Sequence, residues 1–399
     1  MSRHRASEAL RIVGLVTHNS HGGAQTALAK LMDALAARGH HTEVWFLYRT
    51  RGEQEIEAPA ARLLWPAPAR GASAHLRAAL ALRRALRKER PDALVSFLPL
   101  ANVLGQVLAM LAGVPARVAS QRSPSWTYAG PMQMLDRIAG TIGIYGRTVC
   151  VSRAVHASFG HYPAAYRDRL LVVPNGIAQR PRCAEKPTAR RALGLPLRAF
   201  VIAAMGRLCA EKNLKLILDG LVHTPGILLV LAGHGDGRAT LESYAREIGV
   251  LERVAFLGQL VPARGSELLS AADLFVQPSL FEGQSNAMLE AMAAGLPVLA
   301  SDIPSQRETL IDEDGRQCGL LLPLHEPKTW ANALRRLQSD PEERQRLGRA
   351  AAKRSAAFPL ERMAEGFEAA ILAAGVRHAD HSSGLGKHDH QEKAPPRSA

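Results

Sequence analysis

Residues 272–308 read ADLFVQPSLFEGQSNAMLEAMAAGLPVLASDIPSQRE, and this stretch decides the fold. Leu274-Phe275-Val276 is a short apolar run of strand type. Pro278 to Gly283 breaks it into a loop. Asn286 then has the character of a helix N-cap, and Ala287 to Ala294 is rich in helix formers. Gly295 and Pro297 stop the helix, and Val298-Leu299-Ala300 resumes as a strand. Strand, helix and strand make one βαβ unit, the building block of a parallel sheet. Glu282 falls in the loop at the strand's C-terminal end, where open α/β sheets bind ligands. Glu290 comes four residues after Asn286, on the helix face turned back toward that loop. Two carboxylates so placed either border one crevice or are two surface glutamates. The free N–H groups at the helix start suit an anion or a sugar hydroxyl.

Outward from this unit, composition sets the frame. The chain has 399 residues, is 47% hydrophobic and 22% charged, and is long enough for two ordinary domains. Its apolar runs stay short of the roughly 20 residues that span a bilayer. Met1 to Leu10 lacks the apolar core of a signal peptide. Cys150, Cys183, Cys209 and Cys318 lack metal-ligand spacing and are expected to stay reduced in a cytoplasm. Net charge is +14, and residues 62–90 hold eight Lys or Arg against the single acid Glu89, half the excess. The basic residues there are not interleaved with aromatics and form no DNA- or RNA-binding module, so nucleic acid is not an expected partner. An anionic membrane surface or a phosphorylated substrate accounts for such a patch. Residues 75–90 read as a helix, with Leu76, Ala79, Leu82 and Leu86 to one side and Arg77, Arg84 and Lys88 to another. The basic side is either an ordinary solvated face or a contact with anionic lipid.

Further strand-to-helix turns carry chemistry. Residues 11–16 form a first strand that runs through His18 and Asn19 into Gly22-Gly23-Ala24, with a helix from Thr26 to Ala37. Glycines let backbone N–H groups approach an anion, although a plain tight turn has the same sequence. Strands are also expected at 43–48, 92–97, 115–119, 148–152 and 170–173, with an apolar helix at about 102–112. The strand at 115–119 leads into Gln121 and Arg122, and Arg122 either clamps an acceptor anion or caps the strand in a local ion pair. Residues 200–205 lead into Gly206-Arg207-Leu208-Cys209-Ala210-Glu211-Lys212-Asn213, where two cations five residues apart can converge on a diphosphate. Residues 227–232 end at Gly233-His234-Gly235, and 254–257 at Gly258-Gln259-Leu260.

The residues Glu282, Gly283, Asn286, Leu289, Glu290, Ala291, Met292, Ala293, Gly295, Pro297 and Val298 match the pattern EGxxNxxLEAMAxGxPV. This resembles the signature of the retaining glycosyltransferases of family 4, which have the GT-B fold of two Rossmann-like domains facing across a cleft. The block 206–213 resembles that family's GRLxxEKN motif, and 174–177 its PNGI segment. The resemblance covers about residues 11–373. It implies transfer of a sugar from a nucleoside-diphosphate sugar, UDP-sugar ahead of GDP-sugar, to the hydroxyl of a glycan or lipid-linked acceptor. Arg207 and Lys212 would neutralise the diphosphate without a metal, and no cofactor is implied. Glu282 would hold sugar hydroxyls and Glu290 the ribose. Gly22, Gly23, Gly206, Gly233, Gly283, Gln284, Ser285 and Asn286 would complete the donor site, with Gln259 and Leu260 beside the base. Many relatives carry a histidine after the strand at 115–119; here Gln121 or Arg122 stands in its place, so His18, Asn19 and Arg122 are the acceptor-side candidates. Glu308 resembles a trailing glutamate of structural role.

The implied organisation is an acceptor domain at 1–178, a linker at 179–196 and a nucleotide-sugar domain at 197–358. A helix at 359–373 would pack back on the first domain, ahead of a disordered tail at 374–399. His378, His381, His388 and His390 in that tail are weak metal candidates. The enzyme is expected in the cytoplasm, as a peripheral protein of the inner membrane face. A nucleotide-sugar epimerase and a non-catalytic nucleotide-sugar-binding protein are the rival readings; the second should have lost Lys212 or Glu282, and both are present.

Overall fold

The structure is a computed structural model that describes residues 9–50, 56, 60–68, 71–178 and 183–382. The first sheet contains β1 (Arg11–His18), β2 (His41–Tyr48), β3 (Ala61–Leu63), β4 (Ala93–Phe97), β5 (Ala116–Gln121), β6 (Arg147–Cys150) and β7 (Leu170–Val172). Its order is β3-β2-β1-β4-β5-β6-β7, with every pairing parallel. The second sheet contains β8 (Phe200–Met205), β9 (Ile227–Ala232), β10 (Val254–Gly258), β11 (Leu274–Gln277), β12 (Val298–Ser301) and β13 (Leu320–Leu322), ordered β10-β9-β8-β11-β12-β13 and again parallel. Helices cover both faces, so the central strands are buried on both sides and read as continuous apolar runs. These are two Rossmann-like domains. Strand order reverses between β1 and β4 in one sheet and between β8 and β11 in the other, and crevices open beyond the strand ends at such points.

Several local expectations are corrected. Ser285, not Asn286, caps the helix Asn286–Ala293: its Oγ accepts from Met288 N at 3.2 Å, and Asn286 is the first helical residue. The first helix begins at Gly23 rather than Thr26. Residues 179–182 lie outside the described residues, but the rest of the expected linker contains the helix Lys186–Ala192. Arg190 there bonds Asp273 and the Ala271 carbonyl, which fastens the segment to the second domain. Leu76 is 61% exposed, and Ala78, Leu82, Ala85 and Leu86 bury the helix Gly71–Glu89 instead. The helix at 102–112 starts with a π-helical turn at Ala101–Gly105. The last helix runs from Leu360 to Ser382, so residues 374–382 of the expected tail continue it, including His378 and His381. His388 and His390 lie outside the described residues.

That last helix is the second crossing between domains. Ile177 and Pro359 form a parallel bridge where the chain passes over and back. Met363, Ala364, Phe367, Ala370, Ile371 and Ala374 then fill the core of the first domain beside Val95, Phe97, Val118 and Val149.

Candidate active site

The loops after β8 and β11 lie 70 residues apart in sequence and meet because those strands are neighbours, with Leu274 opposite Ile202 and Phe275 opposite Ala203. Asn213 adopts a left-handed conformation (φ 49°), which asparagine tolerates, and so turns the chain straight after Lys212. Lys212 Nζ donates to Glu282 Oε1. The same oxygen accepts from Gln277 Nε2 at 2.8 Å and Ser279 Oγ at 2.8 Å, so the carboxylate is fixed from three sides. Arg207 pairs with Glu211 at 3.1 Å and stays largely exposed at the rim. Met205, Gly206, Arg207, Lys212, Gln277 and Ser279 line one narrow crevice. A larger shallow hollow at Asp219, His223 and Pro327 holds none of the motif residues.

Two glycines make the floor possible. Gly206 and Gly233 both have positive φ (145° and 151°), and a β-carbon on Gly233 would collide with the Gly206 carbonyl. Gly206 N donates to Ala232 O at 2.9 Å and Gly233 N to Gly258 O at 2.7 Å, which stacks the loops after β8, β9 and β10. Gln259 and Leu260 continue from Gly258 and are half-buried.

The first domain closes on this surface. Gly283 lies directly against the Arg122 carbonyl. Gln284 Oε1 accepts from Asn175 N at 2.7 Å, and Asn286 Nδ2 donates to the Gly23 carbonyl at 2.9 Å. Gly23 follows Gly22, the N-cap of the first helix. Lys30, on that helix, pairs with Glu290 at 2.8 Å. The Glu308 carboxylate accepts from Arg153 N at 2.9 Å and Ala154 N at 3.1 Å, so it links the domains rather than serving one alone. His18 Nδ1 lies 2.6 Å from Ser20 Oγ and 3.2 Å from Gln25 Nε2, at the end of β1. Asn19 is buried, and its Oδ1 accepts from Thr50 N at 3.1 Å, which directs that side chain to a neighbouring loop.

Gln121 and Arg122 part company. Gln121 turns inward, donates to Asp136 Oδ1 at 2.8 Å and accepts from Tyr128 OH at 2.6 Å. Burial holds the Asp136 carboxyl above its usual range, although Gln121, Tyr166 and Tyr145 all donate to it. Arg122 turns instead to the Phe97 ring, 4.7 Å from its centroid, and donates to Asn175 Oδ1.

The motif pattern led to Glu282, Glu290, Arg207 and Lys212. It did not lead to Lys30, Gln277 or Ser279, and it reached Asn175 only as part of the PNGI segment, without a role. Lys30 is the only cation of its helix, beside the single acid Asp33.

Two parallel-sheet domains with cations and carboxylates opposed at their switch points define the GT-B class. Two family descriptions match: Glycosyl transferase 4-like domain over residues 22–176, and Glycosyl transferases group 1 over residues 185–354. D-inositol 3-phosphate glycosyltransferase of Nocardia farcinica is 34% identical over 222 residues, 53% of this chain and 49% of that protein. The chain thus spans about half the length of this curated relative. EpsF of Bacillus subtilis, provisionally a glycosyltransferase, is 28% identical over 360 residues, 82% of this chain and 87% of that one. The fold is shared by Anabaena HepE, solved in complex with UDP and glucose, with TM-score 0.73 and 18% identity over 94% of this chain and 100% of that chain. The chain belongs to the family 4 glycosyltransferases of GT-B architecture.

Proposed function

We propose that the protein transfers a glycosyl group from a nucleoside-diphosphate sugar to an acceptor hydroxyl, with retention at the anomeric carbon. The observation that carries this reading is the meeting of Lys212 and Glu282 above the Gly206–Gly233 floor. In this reading the diphosphate lies over the floor, where Arg207 and Lys212 neutralise the charge that grows as the bond from C1 to phosphate oxygen breaks. These two cations supply what a metal would, so the reading requires none. Glu282, already held by Gln277 and Ser279, orients donor-sugar hydroxyls. Glu290 exchanges Lys30 for the ribose. The acceptor oxygen bonds to C1 on the face the phosphate leaves, and its proton passes to the departing phosphate oxygen.

A uridine donor is favoured, because HepE, which shares the fold, was solved with UDP. The acceptor is a glycan or lipid-linked precursor met at an anionic membrane surface. Support comes from the first domain, where Leu76, Leu80, Met110, Leu111, Met134, Leu135, Ile138 and Ile142 are exposed, as are Arg77, Arg84, Arg87, Lys88 and Arg137. Among the described residues no helix is long and apolar enough to cross a membrane.

Hydrolysis of a panel of UDP- and GDP-sugars, with the anomer of the released sugar read by NMR, tests the reaction. Lys212→Ala should lower kcat by roughly 10²–10³ with folding intact. An inverted product, an isomerised donor released without acceptor, or near-normal turnover by Lys212→Ala would each defeat this reading.

A further inference from the structure

The cations of the cleft differ in one respect. Lys30 has Glu290, Arg207 has Glu211 and Lys212 has Glu282. Arg122 has no acid partner among the described residues. Its guanidinium lies over the Phe97 ring, 4.7 Å from the centroid, and Nη2 donates to Asn175 Oδ1. Nη1 is buried with no hydrogen-bond partner. Asp136, the carboxylate that Gln121 holds, takes only the neutral donors Gln121, Tyr145 and Tyr166. Burial accordingly pulls the Arg122 pKa down to about 9, opposed only by Tyr128.

A buried guanidinium without an anion costs free energy, so a fold that keeps one calls for a functional counter-ion. The location says what kind. The Arg122 carbonyl lies on Gly283, and Asn175, which holds the guanidinium, also holds Gln284 through its N–H (2.7 Å) and its Nδ2 (3.2 Å). Arg122 therefore stands across the cleft from the residues that follow Glu282, while the diphosphate cations stand on the loop after β8. A planar fork stacked on an aromatic ring and fixed on one side leaves its other edge, the buried Nη1, unsatisfied until a carboxylate or phosphate reaches it.

We propose that Arg122 is the counter-ion for a carboxylate or phosphate carried by the transferred sugar or by the acceptor. The inference rests on the transferase reading and narrows its substrates to anionic ones.

Calorimetry on the full chain tests it, with UDP saturating the diphosphate site and inorganic phosphate as the titrant. Wild type should bind phosphate, and Arg122→Gln should bind it roughly ten- to a hundredfold more weakly, as expected for hydrogen bonds to a charged group. Equal affinity in the two proteins, or no phosphate binding by wild type, overturns the proposal. Should Arg122→Gln not fold, Arg122→Lys, which keeps the charge but not the fork, should show an intermediate loss. Repeating the titration with UDP-glucose and UDP-glucuronate in place of UDP finds the source of the anion. Loss of phosphate binding with UDP-glucuronate alone puts the anion on the donor sugar, and retention with both puts it on the acceptor. Displacement by both sugars alike means that an uncharged sugar fills the place, and the proposal fails. A wild type that binds no UDP would sink the transferase reading; phosphate binding that Arg122→Gln abolishes would still stand.

Discussion

Glu282 and Glu290 are eight residues apart, yet their surroundings differ. Glu282 is held within its own domain by Lys212, Gln277 and Ser279, whereas Glu290 reaches across the cleft to Lys30. Glu282→Gln should damage turnover while leaving UDP binding nearly unchanged. Glu290→Gln should weaken UDP and the intact donor together, by about 1.5–3 kcal/mol for a hydrogen bond to a charged group. Because Glu290→Gln also breaks the bridge between domains, Lys30→Met is the control: it removes the bridge and spares the carboxylate. Calorimetry with UDP and donor side by side decides, and the division of labour fails if Glu282→Gln loses as much UDP affinity as Glu290→Gln. At this scale the motif residues were legible, because a contiguous loop and helix carry them. The contacts of Lys30 and Asn175 were not, since a contact 260 residues distant (Lys30 to Glu290) or across a domain boundary leaves no local spacing to read. Asn286 was misread as the cap because serine and asparagine are both good caps and adjacent; the Ser285 hydroxyl makes the bond and frees the Asn286 amide for Gly23.

The helix Gly130–Thr141 shows why whole elements can escape notice. It buries Asp136, Ala139 and Gly140, while Met134, Leu135, Ile138 and Ile142 just beyond its end face solvent at 45–67% exposure. A helix whose apolar side points outward inverts the usual pattern. It touches the π-helical turn Ala101–Gly105, and the helix beyond that turn touches Gly71–Glu89, the helix that carries Arg77, Arg84, Arg87 and Lys88. Replacing Ile138 and Ile142 together by Glu should abolish flotation of the protein with vesicles containing anionic lipid, without changing its melting temperature. Equal recovery on neutral and anionic vesicles would reduce this apolar side to ordinary surface. The last helix offers a pH test. Burial alone would raise the Glu368 pKa, but hydrogen bonds from Arg38 (2.8 Å) and His40 (3.2 Å) hold it below the ordinary glutamate value. A depressed carboxylate pKa stabilises the fold above the unfolded value of about 4.3, and that stability is lost as pH falls through and below it. Thermal unfolding followed downward from pH 6 should therefore show a steeper loss in wild type than in Glu368→Gln. Parallel curves would show that this pair does not anchor the helix. Short edge strands such as β3 and β13, three residues each, gave no periodicity to count.

Across the whole molecule, the cleft is closed by contacts that depend on small groups. Gly283→Ala would push a methyl group into the Arg122 carbonyl and Val151. The variant should keep its melting temperature, show a larger radius of gyration in solution scattering with donor present, and lose roughly 10²-fold in kcat/KM, the scale of a small misplacement at a reacting centre. Wild-type scattering and turnover in Gly283→Ala would show that the domains need not approach this closely. The two-domain plan was legible because each strand–turn–helix unit is local, whereas the facing of the domains and the return of the last helix were expected from the family resemblance alone. The double crossing at Ile177 and Pro359 has a separate bearing on how such proteins diversify. The first domain is not a contiguous stretch of gene: a piece from the far end of the chain completes its interior, with Phe367 against Phe97 at 5.8 Å. Exchange of the first domain between relatives by a single recombination point would pair a foreign domain with a helix shaped for another interior. Heritable swaps must therefore carry both segments at once, so the second domain can be traded as an insert while the first evolves chiefly by point changes.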